Sequence, residues 1–264
     1  PYPFGHRNVF QATRGVRVVP GFKDDSGKLA KSDTRQLYQA IRLDGSISIP
    51  HTTATDQGTD WADADPEVEP IMELFQGLRN ESYEYLGAPG AIDPEGRPAK
   101  SWGFQRAGFA WEAWAKGIKI GVIGASDHIS THISYAGVYA KSRSRADILD
   151  AIRQRHTFAA TDTIVLNLKA TTTRARGKWM MGDEFKGKGA PELNVSIAGT
   201  DEIAQVDIIR DNGFVYNASP DGADADLEFT DLDAAPGEHC YYVRVIQDDG
   251  QKAWSSPVWI TVEK

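Results

Sequence analysis

GVIGASDHISTH, residues 121–132, is the stretch on which the reading of the fold turns. It continues an apolar run that begins at Ile118 and stays rich in β-branched residues through Ile123, which predicts a buried strand. Gly124 closes the run, and Asp127, His128 and His132 follow it. Acid and imidazole groups just past the C-terminal end of a buried strand stand where α/β folds place their chemistry. The plainer reading makes Asp127 the cap of a turn and the histidines polar loop residues.

Upstream, 104–116 is rich in aromatics and alanine and predicts a helix that Gly117 stops. IMELF at 71–75 predicts another buried strand, and 46–49 a strand running into Pro50-His51-Thr52-Thr53. A helix through Leu43, capped at Ser32 or Asp33 and ended by Gly45, places Leu37, Ala40 and Ile41 on one face. Residues 8–10 and 16–19 predict short strands; 21–31, 54–69 and 86–101 predict loops. The order of helix, strand, strand, helix, strand is an α/β rhythm. Downstream, 131–141 is extended or mixed, and 144–154 predicts a helix with Ile148, Leu149 and Ile152 at helical spacing.

After about Thr161 the pattern changes. Residues 164–170, 193–197, 206–209, 241–246 and 258–262 alternate as strands. Asp211-Asn212-Gly213 and Asp248-Asp249-Gly250 are turn signals. Short, evenly spaced strands predict a β-sandwich of immunoglobulin or fibronectin-III type over 163–264, after an α/β portion over 1–162.

Composition narrows the function. A chain of 264 residues makes one large domain or two ordinary ones. A net charge of -8 argues against a nucleic-acid surface, which needs a basic footprint. An arginine cluster or a metal can still bind anions locally. The single cysteine, Cys240, excludes an intrachain disulfide and fits cytoplasm or periplasm equally. No run approaches the ~18 apolar residues of a membrane span. PYPFGHRNVF has no initiator Met and no signal-like segment, which predicts a processed or truncated chain.

His6, His51, Asp127 and His128 are ligand types that suit Zn, Mn or Fe. Each has a plain alternative: His6 a terminus, His51 a turn histidine. Glu73, inside IMELF, is costly to bury unless paired or near a metal, so it is a direct or outer-shell ligand or faces a wetter side. His132 is a further candidate beside Asp127. Arg7 and Arg79 are the first candidates for an anion, since guanidinium forks suit phosphate oxygens. His156 at a helix end and His239 in the sandwich read as structural, and 141–145 as a solvated basic loop.

In this order, GHRNVF (5–10), SIPHTT (48–53), IMELFQG (71–77), GVIGASDHISTHISYAGVYA (121–140) and ILDAIRQRHTFAATD (148–162) resemble PHP-domain proteins (polymerase and histidinol phosphatase), in particular a bacterial branch of unknown function. The resemblance implies the C-terminal part of a distorted, TIM-like (β/α) barrel over 1–162 that holds divalent metals and hydrolyses phosphoesters. It matches His6 and His51 to two separate histidine ligands and Asp127 to the acid of the last ligand pair. The family's early His-x-His block and glutamate are absent, and Asp127 and His128 are adjacent where the family has one residue between. Either His128 or His132 then completes the pair, and a missing N-terminal segment or a partner chain supplies the rest.

The resulting expectation is a metal-dependent phosphoesterase using Mn, Zn or Fe to activate water on a small, phosphorylated substrate. The rival is a non-catalytic binding or structural protein with a degenerate barrel, working through sandwich aromatics such as Trp254 or Trp259. Convergence of His6, His51 and Asp127 separates the two.

Overall fold

The structure is a computed structural model that describes residues 2–11, 34–88, 104–127, 132–175 and 177–264. The expected strand at 16–19, the loop at 21–31, the cap at Ser32 or Asp33, His128, and residues 89–101 of the 86–101 loop lie outside these.

The first part of the chain runs β1 (His6–Phe10), α1 (Thr34–Asp44), β2 (Ile47–His51), β3 (Ile71–Gln76), β4 (Glu81–Ser82), α2 (Ala110–Ala115), β5 (Gly121–Ala125), β6 (Tyr135–Val138), α3 (Arg145–Arg153) and β7 (Thr157–Ala160). Strands alone follow: β8 (Val165–Thr172), β9 (Trp179–Met180), β10 (Glu184–Lys188), β11 (Pro191–Ala198), β12 (Ile203–Arg210), β13 (Gly213–Ala218), β14 (Asp224–Thr230), β15 (Gly237–Gln247), β16 (Lys252–Ser255) and β17 (Val258–Glu263).

The strands form open sheets. β10-β17-β15-β16-β7-β6, with β12 and β13 joined at β15, is the largest; β14-β11-β8-β9 is the second. Alternation turns Leu166, Leu168, Leu193, Val195 and Ile197 of the smaller sheet toward Val206, Ile208, Val243, Val245 and Ile260 of the larger. These buried faces make a two-sheet sandwich.

The remaining strands make two small sheets, antiparallel β1-β2 and β4-β3-β5, with β3 and β5 parallel. Met72, Leu74, Phe75 and Val122 pack with Ala110, Ala113 and Trp114 of α2 against the outer face of the large sheet. That face supplies Ile209, Tyr242, Trp254 and Trp259. Trp254 and Trp259 are therefore core residues, 0% and 4% exposed, and not a working surface.

The expected (β/α) barrel is corrected. A TIM-like barrel needs successive parallel strands, each returned by a covering helix. Here β2 lies antiparallel to β1, the β3–β5 pair closes on nothing further, and β6 and β7 leave to join the sandwich sheet. Gly124 shows why the chain turns that way. A Cβ there would sit 2.7 Å from the Tyr135 carbonyl oxygen and 3.1 Å from that of Ala160, so only glycine lets β5 lie against β6 and β7. The fold is a mostly β structure built on a sandwich, with no closed barrel among the described residues.

A buried polar seam ties the first part to the sandwich. The Glu84 carboxylate accepts from Tyr242 Oη (2.5 Å), Trp254 Nε1 (3.0 Å) and Arg244 Nη1 (3.1 Å). Arg244 also donates to Asp207 at 2.9 Å. No helix among the described residues is long and apolar enough to cross a membrane.

Candidate functional site

The antiparallel register of β1 and β2 sets His6 opposite His51. Directly opposed residues share a sheet face, and the two imidazole centroids lie 5.6 Å apart. A tight crossing fixes this arrangement. Gly5 has φ +74°, and a Cβ on it would meet the Gly58 carbonyl oxygen at 2.9 Å. The His6 amide donates to the Gln57 carbonyl at 2.8 Å. The 52–58 turn is thereby clamped onto the N-terminal strand, bringing Asp56 and Gln57 to the site.

Glu73, in the middle of β3, is tied to the residue that follows His51. It is 3% exposed and accepts from the Thr52 amide (3.0 Å) and Gln76 Nε2 (3.2 Å), both on Oε1. Burial pushes its carboxyl up to about 8, and the Asp127 charge adds to the rise. β5 runs parallel beside β3 and delivers Asp127 just past its end, at φ 66°. Ser126 anchors this bend: its Oγ accepts from the amides of Ile133 and Ser134, both at 3.1 Å.

Arg79 enters from the turn between β3 and β4, with Nη2 3.5 Å from Gln57 Oε1. Its charge acts on His6, His51 and Glu73 together. Desolvation lowers the affinity of both imidazoles for protons; at His51 the neighbouring His6 lowers it further, and Asp127 works against the fall. At neutral pH the site therefore presents two imidazoles biased toward the uncharged form, a largely protonated Glu73 and a guanidinium, with Asp127 near them.

The sequence candidates thus divide. His6, His51, Glu73, Asp127 and Arg79 come together. His132 is exposed, and its carbonyl faces Tyr135 Oη at 3.4 Å. Arg7 sits one residue past His6 in β1, hence on the opposite sheet face. There its Nε is bonded to the buried Glu69, which also takes Tyr38 Oη (2.6 Å) and Ser48 Oγ (2.8 Å). Its charge is spent inside the protein. Sequence reading missed Gln57 and Gln76, which lack a charge or metal-ligand chemistry to mark them; the Asp56-Gln57-Gly58 turn was their one signal.

The metal expectation is corrected at this point. Among the described residues no group of three or more His, Cys, Asp or Glu side chains is placed to hold a metal ion, and His128 lies outside them. The described donors do not fit a complete metal centre, and the assignment to metal-binding, TIM-barrel phosphoester hydrolases loses its support.

No family model matches the chain. It is similar to uncharacterized proteins of Chlamydia trachomatis and Chlamydia muridarum, each 27% identical over 263 residues covering 85% of this chain. The chain spans about 40% of the length of these relatives. Among solved structures, fibronectin(III)-like modules of Clostridium thermocellum CbhA match 36% of the chain and 95% of the module, at 20% identity and a TM-score of 0.25. A Jonesia denitrificans lytic polysaccharide monooxygenase matches 58% of the chain and 93% of its own, at 10% identity and a TM-score of 0.28.

Proposed function

We propose that His6, His51 and Arg79, with Asp127 and Glu73, form a receptor for a small phosphorylated molecule. The observation that supports this most is the pairing of an exposed and a half-buried imidazole beside a guanidinium and near an acid that burial keeps neutral. Guanidinium donors match phosphate oxygens, and each neutral imidazole offers one further N–H. Glu73 in its protonated form does not repel an anion, and the acidic side chains of Asp127, near His51 and Glu73, and of Asp56, near His6, flank the imidazoles. A bound phosphate dianion favours the charged imidazole, so binding takes up protons. Affinity then rises as pH falls from 7 toward the lowered imidazole values.

Calorimetric titration with inorganic phosphate tests this at pH 7.0 and 6.0. Arg79→Gln is expected to weaken binding roughly 10- to 100-fold, the worth of one charge-assisted hydrogen bond. His51→Gln is expected to flatten the pH dependence. Binding unchanged in Arg79→Gln, or binding that appears only with added Mn²⁺ or Zn²⁺, contradicts the reading.

A further inference from the structure

A second cleft lies at the open edge of the sandwich, remote in sequence from the histidine site. β13 is the outer strand of one sheet and β14 the outer strand of the other. Between them is a cavity of ≈ 460 Å³ lined by Arg210, Phe214, Phe229, Thr230, Asp231 and Asp233, among others. That volume falls within the roughly 300–1,000 Å³ of small-molecule sites.

Its polar groups are unequally committed. Asp231 is only 4% exposed and saturated: Oδ2 takes Arg210 Nη1 (2.6 Å) and Tyr241 Oη (2.8 Å), and Oδ1 takes the Asp233 amide (3.1 Å). Arg210 spends hydrogen bonds on that carboxylate and on the Tyr241 hydroxyl, fewer than its five N–H donors. The Asp233 carboxylate is exposed and makes none among the described residues. Buried Asp231 thus holds Arg210 in the lining of the cleft, which the exposed Asp233 also lines. The walls are aromatic. Phe214 is 50% exposed, with the Arg244 guanidinium 5.2 Å from its ring centre and the Trp111 ring 6.2 Å away; Leu232 at the rim is 82% exposed.

We infer that this cleft binds a neutral saccharide, an oligosaccharide end or short stretch. A hydroxyl both donates and accepts, so one vicinal diol satisfies Asp233 and Arg210 together, while the C–H face of a pyranose covers Phe214 or Phe229. A phosphate would meet two carboxylates against one guanidinium. An apolar peptide side chain would bury Arg210 and Asp233 without partners, at a desolvation cost.

Saturation-transfer NMR and calorimetry on the whole chain, with cellohexaose and chitohexaose as probes, test the assignment. At least one probe is expected to bind, with transfer from the ring protons and shifts at Phe214 and Leu232. Asp233→Asn and Phe214→Ala are each expected to weaken binding about tenfold or more, with unchanged near-ultraviolet circular dichroism. Asp233 is exposed, so its variant tests the cleft even where Phe214→Ala disturbs the packing over Arg244. Excess inorganic phosphate is expected to leave this binding unaltered. Neither probe binding at millimolar concentration, or full binding by Asp233→Asn, overturns the inference.

Discussion

Glu73 and Glu84 are both buried carboxyls, 3% and 0% exposed, and they serve opposite ends. Glu84 is saturated by a tyrosine hydroxyl, an indole N–H and a guanidinium. Burial alone would lower the proton affinity of Arg244; Glu84 and Asp207 more than offset this and hold it above the ordinary value. Glu73 accepts two amide hydrogen bonds on one oxygen, with the Asp127 and Arg79 charges acting on it. A buried acid whose partners are all supplied by the fold is part of the frame. One that is half-satisfied and perturbed beside other titratable groups marks a working site.

The two roles separate under mutation. Arg244→Met strips Glu84 of its buried cation, and breaking such a pair costs about 3–5 kcal/mol. Urea unfolding is expected to show that loss, and a loss under about 1 kcal/mol would place the seam among weak surface pairs. Glu73→Gln replaces a neutral acid by its isostere, so at pH 6 a change within about 1 kcal/mol is expected.

pH sharpens the contrast. Folded Glu73 holds its proton up to about 8, whereas an unperturbed glutamate releases it near 4.5. Between those values the folded state binds more protons than the unfolded one, and this contribution to stability falls as pH rises. Denaturation midpoints from pH 5 to 9 are expected to decline less steeply in Glu73→Gln than in the wild type. Parallel curves would mean that Glu73 is ionised throughout. The smallest effect is expected from Asp127→Asn. Asp127 raises the proton affinity of both His51 and Glu73, so its neutralisation lowers both. Imidazole ¹⁵N and carboxyl ¹³C titrations read both shifts, and a rise in either breaks the electrostatic account.

Local patterns were legible where the chain's own periodicity decides the outcome. IMELF lies within β3, the 164–170 alternation falls on β8, and 193–197, 206–209, 241–246 and 258–262 fall within β11, β12, β15 and β17. His6, His51 and Asp127 were singled out by residue type and position after strands; the register sets His6 opposite His51, and the Asp127 charge acts on His51. Pairing was not legible. The sequence holds no local mark that β6 and β7 hydrogen-bond into the sandwich, or that β2 runs against β1, because both depend on contacts distant along the chain. The barrel that the resemblance implied therefore fails, because the strands divide among open sheets. Gly124, read as the end of a strand, is a mid-strand close approach. Arg7 was misjudged for a related reason: its strand face is set by register, and Glu69, which neutralises it, lies 62 residues away. The Glu84 seam spans 158 residues to Tyr242 and left no trace in either segment.

The most direct test of the account is a carboxyl ¹³C titration of Glu73, with and without inorganic phosphate. The account predicts a midpoint near 8 without phosphate, moving higher when the anion binds. A midpoint near 4.5, unmoved by phosphate, would contradict both the neutral acid and the receptor built on it.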